Sequence, residues 1–345
     1  MTVAPSLAPS LALTVPVYVG IDVGRTSLDL AAGGAGAGVP PRLPRQVPNT
    51  PAGIARAVAA LTALAPTLVV LEATGAYHRP LEAALVAAHV PTSVVNPARV
   101  AASRAERGGR EKTDAADARL LAAFAATHDA TLRRSELVDP RLAQLRATVT
   151  YRDTLVAHKT QLTNRLHANT FGGDAAVGTW LAAELAHLKT HLRDVDAAIA
   201  RLLAAFPEAA VLRALRGVGP AVAAAVLGYL PRGVWGDAKA AAAYAGVHPR
   251  RAQSGARDTS RLSKQGHAGL RRYLYCATIV ALRDDAELIA VRDRLVGRGK
   301  HPASARCAVM HKLLRWMMGR LKAYYAARSA AQPADPTAAV LPLAA

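Results

Sequence analysis

The chain has 345 residues and carries 43 Lys and Arg against 24 Asp and Glu, a formal net charge of +19. That length holds two domains plus connecting helices, and that charge argues against an enzyme of small molecules and for a polyanionic partner, nucleic acid first. Only eight of the 43 basic residues are Lys, so Arg, the better bidentate ligand for phosphate, dominates. Two cysteines, Cys276 and Cys307, make neither a zinc site nor a disulfide framework and suit a reducing cytosol. No apolar run reaches the roughly 18 residues of a membrane span, and residues 1 to 16 lack the Lys or Arg of a secretory n-region. The expectation is a cytoplasmic protein with no membrane contact, with loose tails at 1–16 and 326–345.

In chain order, Val17 to Val23 reads as a buried strand. Val17, Val19, Ile21 and Val23 share one face, and Tyr18, Gly20, Asp22 and Gly24 the other. Gly24-Arg25-Thr26 turns the chain into a second strand, Ser27 to Ala32. An ionised Asp22 within such a strand is costly unless a cation or donors compensate it. Gly20 and Gly24 on its face leave room for a ligand to approach the backbone. Three readings follow: a metal-binding carboxylate of a nuclease-type α/β domain, an Asp that caps a turn, or the opening of an actin-like or sugar-kinase phosphate loop. After a Gly/Pro-rich loop at 33–41 comes a strand near Gln46. A helix over Ala52 to Leu64 starts at Thr50-Pro51, and a strand over Thr67 to Glu72 also ends on a carboxylate. A helix over Leu81 to Ala88 and a short strand over Thr92 to Asn96 follow. Strands alternating with helices predict an α/β sheet with ligands near the carboxyl ends of its strands.

Gly108 to Arg119 reads as a basic loop entering a helix on which Asp114 and Asp117 share a face. Acidic residues in a first turn favour the helix dipole without any further role, and Thr113 suits the cap. Joined to Asp22 and Glu72, however, they complete a set of four carboxylates. Two come from strand ends and two from one helix face, the donors that a pair of Mg²⁺ ions needs for phosphodiester chemistry.

Residues 139–206 carry two long apolar stripes, Leu142 to Leu166 and Trp180 to Leu202, separated by Gly172-Gly173; they predict a helical hairpin or coiled coil. Beyond Pro207, two short helices joined by Gly217-Val-Gly219 resemble a helix-hairpin-helix, a turn that offers backbone N–H groups to phosphate; an ordinary helical corner is the alternative. Gly246 to Leu274 reads as a basic loop holding Arg250, Arg251, Lys264, Arg271 and Arg272 as phosphate contacts. Within it Ser254, beside Gly255, has little steric cover, and Ser260 and Ser263 are competing hydroxyls. A loop that binds the backbone without covalent chemistry is equally consistent. Arg292 to Lys322 reads as a helical surface lining a nucleic-acid channel.

Gly20-Ile-Asp-Val-Gly24, Glu72-Ala-Thr-Gly75, Lys112-Thr-Asp-Ala-Ala-Asp117, Gly217-Val-Gly219 and Ser254-Gly255 with Leu262-Ser-Lys-Gln-Gly266 occur in an order that resembles the IS one-ten family of insertion-sequence transposases, also called DEDD transposases or bridge recombinases. The resemblance spans about residues 17–325 and implies three parts. These are an α/β RuvC-like (ribonuclease H) domain over 17–130, a coiled-coil connector over 139–206 and a mainly α-helical transposase domain over 207–325. It implies Asp22, Glu72, Asp114 and Asp117 as the tetrad for Mg²⁺ (or Mn²⁺), and Ser254 as the nucleophile. As partners it implies donor and target DNA, a non-coding bridge RNA and other copies of the chain, as dimer or tetramer. Attack of a serine hydroxyl on a DNA phosphate stores the cleaved bond as a phosphoserine ester, and such a hydroxyl needs a base or metal to activate it. Tetrad and serine belong to different domains, so they must meet across an interface, within or between protomers. Two rivals stand: a RuvC-like junction resolvase that hydrolyses DNA with water, and a non-catalytic nucleic-acid-binding protein.

Overall fold

A computed structural model describes residues 16–33, 43–73, 75–106, 113–137, 139–254 and 257–331, with the side chains of 251–261 left out. Most of the loop at 33–41, the basic loop before Thr113 and most of both tails lie outside the described residues. The chain divides into two compact units, Met1–Val138 and Asp139–Ala345.

The first unit is built on strands β1 (Tyr18–Val23), β2 (Ser27–Gly33), β3 (Gln46–Pro48), β4 (Leu68–Glu72) and β5 (Thr92–Val95). They form one mixed sheet in the order β3-β2-β1-β4-β5. The pairs β1–β2 and β2–β3 are antiparallel, whereas β1–β4 and β4–β5 are parallel. Four helices accompany them: α1 (Pro51–Leu64), α2 (Arg79–Ala87), α3 (Pro97–Glu106) and α4 (Asp114–His128).

Alternation along the strands sorts the core into two layers. Val19, Ile21, Val23, Val69 and Leu71 pack with Ile54 and Leu61 of α1 and with Leu81 and Leu85 of α2. Tyr18, Leu68 and Val70 face the other way, onto Val100 of α3 and Leu121 and Phe124 of α4. Each fully buried Leu or Phe contributes about 1.5–3 kcal/mol, so the two layers fix the register: a slip by one residue would exchange them. Asp22 and Glu72 fall on the α4 side by the same alternation.

The approach of α4 depends on Gly20. A Cβ there would lie 2.1 Å from the Ala118 carbonyl oxygen and 2.3 Å from the Ala122 nitrogen. The space left by this glycine is therefore filled by a helix, not by a ligand, which corrects the expectation from sequence. At Gly24 the nearest atoms belong to Ser27 of the same turn. Helix α3 has no counterpart in the sequence reading, which places no element between the strand over Thr92 to Asn96 and the basic loop; Pro97 occupies its first turn.

The second unit opens with two helices of nearly equal length, α5 (Pro140–Asn169) and α6 (Ala175–Leu203), which pack along Leu145, Val149, Leu162, Leu188, Leu192 and Ile199. Arg152 breaks the apolar stripe of α5, and the structure supplies its reason: it bonds Asp196 of α6 at 2.5 Å and the Tyr273 hydroxyl at 3.2 Å. There follow α7 (Pro207–Arg213), α8 (Pro220–Tyr229), α9 (Ala238–Ala245), the strand pair β6 (Pro249–Ser254) and β7 (Arg257–Leu262), then α10 (Ala268–Ala281), α11 (Ala286–Gly297) and α12 (Pro302–Ala331). Helix α8 is apolar all round and buried from Val222 to Tyr229, so it is the core around which the unit packs.

Two expectations change here. The basic stretch after Gly246 is not a plain loop: β6 and β7 pair antiparallel from Pro249↔Leu262 to Ser254↔Arg257. The tail expected from residue 326 is helical as far as Ala331.

Candidate active site

Four acidic positions meet at one end of the first unit. Asp22 is the penultimate residue of β1 and Glu72 the last of β4; the two strands run parallel with Ile21 opposite Leu71, so the carboxylates occupy neighbouring strand ends. Asp114 and Asp117 lie in the first turn of α4, whose cap is Thr113, its hydroxyl accepting from the Ala116 N–H at 3.2 Å. Since α4 packs across the sheet face that carries Asp22, the order of strands and the close contact at Gly20 bring helix and strand ends together.

The electrostatics report the same gathering. Asp22 is half-buried, and its pKa is pushed from 3.8 up to about 6, first by loss of solvent and then by the charges of Asp114, Asp117, Glu72 and Asp29. Carboxylates that each resist the ionisation of one neighbour form a negative site that a cation would relieve. An all-oxygen donor set suits a hard divalent ion such as Mg²⁺ or Mn²⁺. Among the described residues no three His, Cys, Asp or Glu side chains are drawn in around one point closely enough to hold a metal.

An internal ion pair is one physical reason for that. Arg104 of α3 donates to Asp117 at 2.6 Å, so one member of the set is satisfied by an internal cation. Asp29, directly opposite Asp22 in the β1–β2 register, is a fifth carboxylate; it is buried and accepts from the Gln46 side chain at 2.9 Å. Sequence reasoning missed both Arg104 and Asp29. Asp29 had a signal, because a four-residue connection between Val23 and Leu28 sets it across from Asp22; Arg104 had none.

In the second unit the expected nucleic-acid contacts divide into two kinds. Arg250 and Lys264 are exposed. Arg271 instead holds the chain beyond the hairpin, donating to the Ala245 and Lys264 carbonyls at 3.1 Å each. Arg272 pairs with Asp153, which also accepts from the Tyr229 hydroxyl at 2.8 Å, and lies over the Tyr273 ring. Gly217, at φ +79°, lies against α10, where a Cβ would come within 2.2 Å of the Ala277 carbonyl oxygen; it is needed for close helix packing. Gly219 borders open space at the uncapped start of α8. Ser254 ends β6, paired through its backbone with Arg257. The side chains of Arg251 and Ser254 lie outside the described residues.

A basic chain with an acidic cluster at the strand ends of its α/β unit and a strand pair bearing a serine in its helical unit belongs with the transposases. Residues 19–169 match the family model DEDD_Tnp_IS110, described as a transposase. Residues 209–291 match the model described as "Transposase IS116/IS110/IS902 family". The chain is a member of that IS110 family. It is also 28% identical over 257 residues to the pilin gene-inverting protein of Moraxella lacunata, covering 71% of this chain and 77% of the relative. The pilin gene-inverting protein of Moraxella bovis is 27% identical over the same length. Among the described residues no helix is long and apolar enough to cross a membrane.

Proposed function

We propose that the protein cuts and rejoins DNA as the recombinase of an insertion sequence, through a phosphoserine intermediate on Ser254 assisted by Mg²⁺ or Mn²⁺ on Asp22, Glu72, Asp114 and Asp117, with a bridge RNA selecting donor and target DNA. The observation that carries the metal part is the placement of half-buried Asp22 at a strand end beside Glu72, with Asp114 and Asp117 in the first turn of α4, where burial first and then these charges raise its pKa. The Moraxella relatives, named for inverting a gene, support rearrangement of DNA as the outcome. The mixed sheet with α4 across it supports the RuvC-like reading of the first unit.

Divalent cations supply Lewis acidity toward a phosphate oxygen and help deprotonate an attacking hydroxyl. The chain's residues do the rest. The Ser254 oxygen attacks phosphorus, its proton leaves to a base, and the bond to the departing strand oxygen breaks as that oxygen is protonated. The same bond energy is kept in the serine ester, so a strand hydroxyl reverses the exchange without ATP. Arg250 and Arg251, on β6, offset charge on the phosphate by position; Lys264, two residues past β7 at the opposite end of the pair from Ser254, meets a flanking phosphate instead. Arg104 holds one oxygen of Asp117, so the other would remain available to an ion while Arg104 keeps the carboxylate in place.

The test is a recombination assay on paired donor and target plasmids with copurified RNA. Asp22→Asn, Glu72→Gln, Asp114→Asn and Asp117→Asn should each abolish product, and a chelator should do the same to the parent protein. Full activity in any of the four variants, or in chelator, contradicts the metal assignment. RNase treatment that leaves target choice intact contradicts the guide.

A further inference from the structure

The second unit holds a cavity of about 570 Å³ at the base of the β6–β7 pair, away from the Ser254 end. Its walls come from both strand ends and from the first three turns of α12. It is lined by the apolar Val247, Leu262 and Ala308, by the exposed Lys264 and Lys300, and by His311. We propose that this cavity takes a single unpaired nucleotide of a bound strand, its base on the apolar lining and its flanking phosphates on Lys264 and Lys300. The inference rests on the nucleic-acid reading above and adds a site to it.

Size comes first. Pockets for small ligands run about 300–1,000 Å³, so a nucleoside fits and a duplex does not. Bases displaced from the stack are held by flat apolar contact and by hydrogen bonds to their edges. His311 suits the second task. Burial, Arg315 and His248 hold its pKa below the usual 6.5, so at neutral pH the ring offers one donor and one acceptor. His248, between two lining residues, has a buried Nδ1 with no hydrogen-bond partner, a further polar atom close to the cavity.

The rim is built rather than incidental. Lys264 sits at φ +56°, a left-handed backbone that a long side chain rarely adopts. Its N–H is fixed to the Gly246 carbonyl at 3.1 Å, and its own carbonyl accepts from Arg271. Strain held by several bonds at a cavity mouth is the pattern of a binding position. The strand Pro249–Ser254 places the serine roughly 17 Å along from the cavity, about five base steps of a B-form strand. A base held there would register the strand so that a phosphate a fixed number of steps away meets Ser254.

Cys307 lines the cavity and is only partly exposed, so it reports occupancy. The full-length protein with Cys276→Ser keeps one thiol, whose alkylation by N-ethylmaleimide is followed by mass spectrometry. Three probes are added at saturation by fluorescence polarisation: a blunt DNA duplex, the same duplex with a three-nucleotide gap, and single-stranded RNA of the gap sequence with flanks. Gapped DNA, RNA or both should slow alkylation at least tenfold, and the one that does identifies the strand; the blunt duplex should not. In a second variant, Ala308→Leu fills the cavity and should remove the preference for the protecting probe while duplex affinity is kept. Equal protection by blunt duplex, or binding with no protection by any probe, overturns the cavity alone. Failure of all three to bind overturns the nucleic-acid reading as well.

Discussion

Asp22→Asn should make the protein more stable and inactive at once. The carboxyl of Asp22 ionises near pH 6 in the fold and near 3.8 when unfolded, because burial and then Asp114, Asp117, Glu72 and Asp29 oppose its charge. Between about pH 4 and pH 6 the native state keeps a proton that the unfolded chain has lost, so wild-type stability falls as pH rises through that window and levels off above it. The difference amounts to about 3 kcal/mol as an upper bound, since Asp22 retains some solvent. The isosteric amide escapes this cost. The variant should therefore match the parent at pH 4 and exceed it at pH 8, by up to roughly 6–12 °C in Tm. Melting followed by circular dichroism at low salt, without divalent ions, reads it. Millimolar Mn²⁺ should then raise the parent's Tm and leave the variant's unchanged, because only a state that binds the ion gains from it. Melting curves for the two proteins that stay parallel from pH 4 to pH 8, or a variant that is the less stable at pH 8, would refute the reasoning.

Gly20→Ala should unfold or loosen the first unit, costing about 3 kcal/mol or more, because its methyl would lie 2.1 Å from the Ala118 carbonyl oxygen on α4; urea melts of the intact chain check this, and a loss under 1 kcal/mol would mean that α4 does not pack there. Affinity for DNA should fall steeply with salt, and Lys264→Ala should reduce that slope by about one. Arg271→Ala should instead cost on the order of 3 kcal/mol of stability with little change in slope, since its bonds run to the Ala245 and Lys264 carbonyls; titrations at four salt concentrations separate the two, and the reverse pattern would make Arg271 the phosphate contact.

The carboxylates were legible because strands have period two and helix turns bring i and i+3 together: Asp22, Glu72, Asp114 and Asp117 could each be placed on a face from the sequence alone. What the sequence did not reveal is the use of Gly20. A glycine beside an acidic residue admits a ligand or a helix equally well, and only the path of α4 decides between them. Helix α3 was hidden by Pro97, which ends one element and begins the next, and with it went Arg104, whose bond to Asp117 depends on how α3 and α4 pack. The β6–β7 pair was read as a loop because Pro249-Arg-Arg-Ala-Gln-Ser254 has no apolar alternation; its ladder is held by backbone bonds that carry no side-chain signature. Arg271 and Arg272 show the converse risk. Charge composition marks them as phosphate contacts; the fold gives both internal partners as well, and leaves about half of the Arg272 side chain exposed, so the two roles are not exclusive.

The central claim is that Ser254 becomes covalently joined to DNA. Incubating the protein with Mg²⁺, RNA and end-labelled donor and target DNA, quenching in denaturant, and mapping the DNA-linked peptide by mass spectrometry tests it directly. The expected result is a linked peptide carrying the residual nucleotide on Ser254, absent in Ser254→Ala and present in Ser260→Ala and Ser263→Ala. A linkage on Ser260, Ser263 or a tyrosine such as Tyr151 would contradict the assignment, and cleavage with no linked peptide in any of these proteins would identify a hydrolytic resolvase instead.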